Sequence, residues 1–166
     1  VVLAYDVTVD DNEGLSNSTD TITIYVTILG TNDAPVIAGG PIDLTDSELT
    51  GVQGSTAVLA HGGTFVFDDA DLSDTHTASA VLTGTNWNGG TTIPSDTQTA
   101  IEAALSAAVT TAATGAGSGE ISWNFSLQDH FLDFLAADET LTLTYTVQVT
   151  DVHGGSASQF VTVTIH

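Results

Sequence analysis

Apolar and polar residues alternate along most of this chain with a period of two. Near the start, Leu3, Tyr5, Val7 and Val9 are apolar, whereas the residues between them are small or polar. Such alternation predicts strands with one buried and one solvated face, as in an antiparallel sheet. The same pattern marks further strands at 22–28, 42–46, 56–60, 64–68, 77–82, 120–127, 140–150 and 158–166. Short strands separated by turn clusters such as Gly62-Gly63 and His153-Gly154-Gly155 predict an all-β, antiparallel β-sandwich.

One segment departs from this alternation. After Pro94, apolar residues fall at helical spacing, at Ile101, Ala104, Leu105, Ala108 and Val109. This spacing predicts a short helical insertion over 97–111, with Ser95 or Asp96 as its N-cap. A second short helical turn is predicted between Gln128 and Leu135.

A strand pair near the start of the chain recurs at its end. Residues 3–11 align with residues 143–151 at an offset of 140, and residues 24–28 align with 161–165 at an offset of 137. A period one domain long predicts a tandem array of globular modules. We therefore interpret 1–29 as the C-terminal strand pair of a preceding repeat, 30–35 as a linker, and 36–166 as one repeat.

The orphan strand pair 1–29 needs a partner. A lone two-stranded hairpin is not stable in water, and its open edges favour further pairing. We expect it to complete a sandwich formed by the preceding repeat of the same chain, or by an identical subunit in a fibre.

The charge of the chain is entirely one-sided. It contains 21 acidic residues, no Lys or Arg, and has a formal net charge of −21. Without cationic side chains it is a poor partner for nucleic acid or for an anionic membrane surface, and no apolar run is long enough for membrane insertion. Unbalanced negative charge opposes compaction, so divalent metal or high salt is the expected source of neutralisation.

Three stretches resemble a known family. Residues 5–35, ending in Gly-Thr-Asn-Asp-Ala-Pro, resemble the end of a VCBS repeat of giant secreted RTX-type bacterial adhesins; residues 67–76 and 134–145 resemble two further blocks of that repeat. The layout is more distantly similar to cadherin repeats. The resemblance implies Ig-like (cadherin-like) sandwiches joined by calcium, acting as stiff extenders on the cell surface or in an extracellular matrix or biofilm.

Sandwich topology indicates which acidic residues can converge on Ca²⁺, which takes six to eight oxygen ligands. The linker, the loop after the second strand and the end of the sixth strand should meet at one pole, which carries Asn32, Asp33, Asp69, Asp71, Asp74 and Asp151. The opposite pole should carry half of the next inter-repeat site, with Glu48, Asp138 and Glu139. For any single Asp, the alternative is turn chemistry, in which the carboxylate caps its own backbone.

These features favour a calcium-rigidified extender repeat and predict no enzymatic activity. The chain has no Gly-x-Ser-x-Gly motif, and its five His residues lack zinc spacing and are expected to be exposed or half-buried. The alternative is a recognition module in which Trp87, on a Gly-rich loop between Asn86 and Asn88, binds a surface glycan. The competing explanation for Trp87 is that it closes the edge of the core.

Overall fold

The chain divides into two units, Val1–Thr31 and Asn32–His166. The computed structural model describes residues 1–16 and 19–166. In the described residues, no helix is long and apolar enough to cross a membrane.

The first unit is a two-stranded antiparallel hairpin. It consists of β1 (Val2–Asp10) and β2 (Thr19–Thr27). Tyr5 lies opposite Ile24, and Val7 lies opposite Ile22. The apolar side chains of this hairpin are largely exposed to solvent.

The second unit is built from two four-stranded sheets. Its strands are β3 (Val36–Ile37), β4 (Ile42–Asp46), β5 (Val58–Asp68), β6 (His76–Trp87), β7 (Leu105–Thr111), β8 (Ser118–Gln128), β9 (Leu141–Asp151) and β10 (Ser156–Ile165). One sheet has the order β4-β10-β9-β6 and the other has the order β3-β5-β8-β7. All pairings are antiparallel except that of β4 with β10, which is parallel. This is the strand order of an immunoglobulin-like sandwich with a split first strand, which confirms the predicted fold class.

The core lies between the inward faces of the two sheets. Period-two alternation places large apolar side chains of β5, β8, β9 and β10 there, among them Phe67, Phe125 and Tyr145, all fully buried. The Tyr145 hydroxyl donates a hydrogen bond to the Ile101 carbonyl oxygen at 2.7 Å, which satisfies the one polar atom of that side chain. Burial also raises the pKa of this phenol.

The predicted helix is shorter than expected. α1 spans Ser95–Ala103, and the remainder of the predicted segment is strand β7. Leu105, Ala107 and Val109 face inward at a period of two, and β7 pairs with β8, which would otherwise leave an open edge. Pairing with β8 thus outweighs the helical propensity of these alanine-rich positions.

Two other local predictions are wrong, and one is confirmed. The N-cap of α1 is Pro94 rather than Ser95 or Asp96, with no side-chain capping bond. Gly62 and Gly63 lie inside β5 rather than in a turn. Glycine is needed at position 63 because a side chain there would clash with the Trp123 ring of the neighbouring strand. The helical turn predicted within 128–135 is present as a 3₁₀ turn over Asp129–Leu132.

Candidate functional site

Three segments of the second unit meet at one end of the sandwich. They are the linker residues Asn32 and Asp33, the loop 69–75 after β5, and the turn 152–155 after β9; we call this end the linker pole. The Asn32 amide donates to Asp151 Oδ2 at 3.1 Å, and the Asp33 backbone N–H donates to Asp71 Oδ2 at 2.6 Å. The structure therefore brings the linker and both acidic loops together, as the sandwich topology predicts.

Asp151 organises the turn between β9 and β10. Its Oδ1 accepts hydrogen bonds from the backbone N–H groups of His153 and Gly155, at 2.8 and 2.9 Å. A side chain at Gly155 would collide with this carboxylate and with Ala34, so the close approach requires glycine. Burial raises the pKa of Asp151, but the hydrogen bonds from Asn32 and the turn backbone outweigh it and leave the pKa below its usual value.

A buried pair supports the loop after β5. His76 Nε2 lies 2.8 Å from Asp69 Oδ2, and the two side chains are 1% and 0% exposed. Asp69 Oδ1 accepts the Asp71 backbone N–H at 2.8 Å, and the His76 ring packs on Phe67 with centroids 4.9 Å apart. His76 as a whole residue is half-buried, as expected, but its side chain is almost fully enclosed. Its position at the start of a strand beside an acidic loop was the sequence signal for this pairing.

Asp74 has one carboxylate oxygen that the hydrogen bonds of the fold leave unused. It is 2% exposed; Oδ1 lies 3.6 Å from His153 Nε2, and Oδ2 is buried without a hydrogen-bond partner. A buried carboxylate oxygen without a donor is costly, and a cation would remove that cost. Within the described ranges, however, no three His, Asp or Glu side chains are grouped closely enough to form a metal cage. The linker pole thus gathers oxygen donors of the type that Ca²⁺ takes, but several of its carboxylate oxygens accept backbone hydrogen bonds instead of forming a cage.

The three acidic residues predicted for the opposite pole lie at that end of the sandwich: Glu48 follows β4, where its backbone N–H donates to the His166 carbonyl at 2.9 Å, and Asp138 and Glu139 closely precede β9. Glu139 Oε2 accepts hydrogen bonds from the Trp87 indole N–H and the Ala136 backbone N–H, both at 3.0 Å. Asp138 lies in a left-handed turn with φ of 69°, and its carbonyl is 3.5 Å from the Asn88 amide. Glu139 therefore supports a loop rather than joining Glu48 in the structure.

This arrangement also defines the environment of Trp87. The indole packs edge-on against Phe134, with ring centroids 4.9 Å apart, and a side chain at Gly90 would overlap it. Its N–H is already donated to Glu139. These contacts favour closure of the core edge over a glycan-stacking role.

Glu48 belongs to an acidic group that sequence reasoning missed, with Asp129 of the 3₁₀ turn and Asp133, the residue that follows the turn. Asp129 is fully buried; its Oδ1 accepts the Leu49 backbone N–H at 2.9 Å, and its Oδ2 has no partner. Asp133 Oδ2 accepts the Gly54 backbone N–H at 2.7 Å. The four-residue spacing of the two aspartates across the predicted helical turn was the available signal. Burial, followed by repulsion from Asp129 and Asp133, raises the pKa of Glu48.

The raised pKa of Glu48 has a testable consequence for stability. A carboxyl group whose pKa rises on folding destabilises the fold when it is ionised, and this penalty disappears as the pH falls and the group becomes protonated. We therefore expect Glu48→Gln to raise the melting temperature at pH 7 by about 1–3 °C. The gain should disappear below about pH 4.5, the ordinary pKa of a glutamate. Thermal unfolding of both proteins between pH 3.5 and 8 measures this; a gain that persists in acid would contradict the explanation.

The sequence matches no known protein family and no curated protein. Its fold is similar to domains 4 and 5 of the S-layer protein SbsC, with 12% identity and a TM-score of 0.39 over 89% of this chain. The chain spans about half (53%) of that S-layer fragment.

The CooA pilin subunit of enterotoxigenic Escherichia coli aligns at 11% identity and a TM-score of 0.38, covering 80% of this chain and 97% of the pilin. The EC1–3 fragment of mouse clustered protocadherin PcdhgC3 aligns at 13% identity and a TM-score of 0.33, covering 99% of this chain and 42% of that fragment.

Proposed function

We propose that this chain is part of a repetitive extracellular protein of the cell surface, in which each sandwich is a structural extender stiffened by calcium at its linker. Its task is length and display rather than catalysis. The observation that carries the proposal is the docking of Asn32 and Asp33 onto Asp151 and Asp71. The residues just before the sandwich are thereby held against its own acidic loops.

The chemistry of the linker pole supports calcium as the stiffening agent. Asp69, Asp71, Asp74 and Asp151 lie there with Asn32 and Asp33, in a chain with no Lys or Arg to pair with them. Hard oxygen donors of this kind suit Ca²⁺. Calcium bound by these residues would neutralise their mutual repulsion and tie the linker to both loops, so that successive modules could not hinge freely.

We expect calcium to stabilise the second unit specifically. A site occupied at about 100 times its dissociation constant adds roughly 2.7 kcal/mol, which corresponds to a rise in melting temperature of about 5–10 °C. The exchange of the Asp33 backbone N–H with deuterium should slow at the same time. The measurement is thermal unfolding in CaCl₂, compared with MgCl₂ and NaCl at matched ionic strength, because any salt screens a net charge of −21.

Matched variants separate binding from screening. Asp71→Asn and Asp151→Asn each remove one charge at the linker pole, whereas Asp43→Asn removes one charge from the exposed face of β4. The calcium-induced shift should fall strongly in the first two variants and persist in the third. Equal shifts in all three, or equal shifts with magnesium or sodium, would refute a specific calcium site.

A further inference from the structure

The hairpin of the first unit reproduces the closing hairpin of the sandwich, including its register. Leu3 pairs with Val26 and Tyr5 with Ile24, and the residues 140 and 137 positions later form the pairs Leu143 with Val163 and Tyr145 with Val161. The next two pairs along each hairpin correspond in the same way. The two hairpins therefore match pair by pair as well as in sequence.

The turn at the end of β1 matches its counterpart too. Asp11 Oδ1 accepts the Glu13 backbone N–H at 3.1 Å, as Asp151 accepts that of His153. Gly14 and Gly154 both have positive φ, at 69° and 94°. The likeness thus extends beyond the strands to the acidic loop beside them.

The hairpins differ in burial. Tyr145 and Val147 are 0% exposed, whereas Tyr5 and Val7 are 53% and 43% exposed. The face that β9 and β10 bury in the core is therefore the face that β1 and β2 present to solvent. An apolar sheet face of this kind marks an interaction surface.

We infer that the hairpin 1–29 is the closing hairpin of a second sandwich, and that its partner is a segment built like residues 36–140 in a preceding repeat of the same chain. At the offset of 140, β1 takes the place in its repeat that β9 takes in the second unit, so a segment of this kind supplies the strands that the hairpin lacks. A second copy of this chain does not offer the same surface, because its β9 and β10 already fill that place.

The side chains fit this partner with little change in volume. The inward-facing residues Leu3, Tyr5, Val7, Val9, Val26 and Ile28 are identical to their counterparts, Ile24 replaces Val161 with one additional methylene group, and Ile22 replaces the half-buried Gln159 near the end of the hairpin. Volume-conserving changes of this size are tolerated in cores. The Tyr5 hydroxyl would meet the carbonyl that corresponds to Ile101, the acceptor that Tyr145 uses.

The inference does not depend on calcium and can be tested by extending the chain. Residues 36–140 are placed directly before Val1 of the full 166-residue chain, and hydrogen exchange of β1 and β2 is measured by mass spectrometry. We expect these amides to become protected about a thousand-fold or more, since they would then exchange through unfolding of a complete sandwich. Tyr5→Asp should abolish this protection in the extended chain and leave the second unit unchanged.

A control chain keeps the test decisive. It joins residues 36–166 to residues 30–166, so that the upstream module keeps its own closing hairpin. If the control chain folds as two protected modules while β1 and β2 of the extended chain exchange freely, the inference is overturned. Strong protection of β1 and β2 in the unextended chain would also overturn it, whether in a monomer or in a concentration-dependent dimer.

Discussion

Replacing Tyr145 with alanine should lower the free energy of unfolding of the second unit by about 3–5 kcal/mol, as expected when a large buried aromatic side chain is removed. Tyr145 is fully buried between the sheets, and its hydroxyl is bonded to the Ile101 carbonyl. The matched control is Tyr5→Ala, at the equivalent position of the first hairpin. Because Tyr5 is exposed, that substitution should leave the unfolding of the second unit unchanged.

Denaturant unfolding at neutral pH measures both effects. Tyr145→Phe separates the hydrogen bond from the ring and should cost about 1 kcal/mol, because the Ile101 carbonyl loses the hydroxyl donor and keeps only the 3.3 Å bond from the Ala104 backbone N–H. Equal destabilisation by Tyr5→Ala and Tyr145→Ala would contradict the difference in burial between the two hairpins.

The second large effect is expected at the linker pole. Asp69→Ala removes the partner of buried His76 and the acceptor of the Asp71 backbone N–H. Leaving buried polar groups without partners should cost about 2–4 kcal/mol, or a fall in melting temperature of the order of 6–12 °C. The loop that carries Asp71 should also exchange its amide hydrogens faster.

The neighbouring residue provides the control for this prediction. Asp68 is exposed at the end of β5. Asp68→Ala therefore removes one negative charge but leaves His76 with its partner Asp69. Asp69→Asn keeps an acceptor oxygen and should fall between the two. Comparable losses for Asp68→Ala and Asp69→Ala would show that the effect arises from net charge rather than from the buried pair.

The alternation of apolar residues was sufficient to predict most of the sandwich. It failed over 105–111, where Leu105 and Val109 satisfy both a helical period and a strand period. Only the edge of β8, which is distant in sequence, decides between the two. The turn predicted at Gly62 and Gly63 is absent for a related reason. The Trp123 ring that requires glycine at position 63 belongs to the neighbouring strand, which is distant in sequence.

The two poles differ in how far sequence could predict them. Asn32, Asp33, Asp71 and Asp151 follow from the direction of the strands, and the structure brings them together. At the other pole, strand direction could not show that Glu139 supports Trp87 or that the 3₁₀ turn buries Asp129 near Glu48. Those contacts depend on side-chain packing within a loop, which alternation does not encode.

The parallel pairing of β4 with β10 determines how the second unit would respond to a pulling force. The second unit begins at the linker pole, and its last strand ends at the opposite pole, where the His166 backbone N–H donates to the Asp46 carbonyl. Tension between these ends acts along the strands and loads the ladder between 42–46 and 161–165 in shear. Its hydrogen bonds would then have to break together rather than one after another, so the ladder acts as a mechanical clamp that resists extension before the core opens.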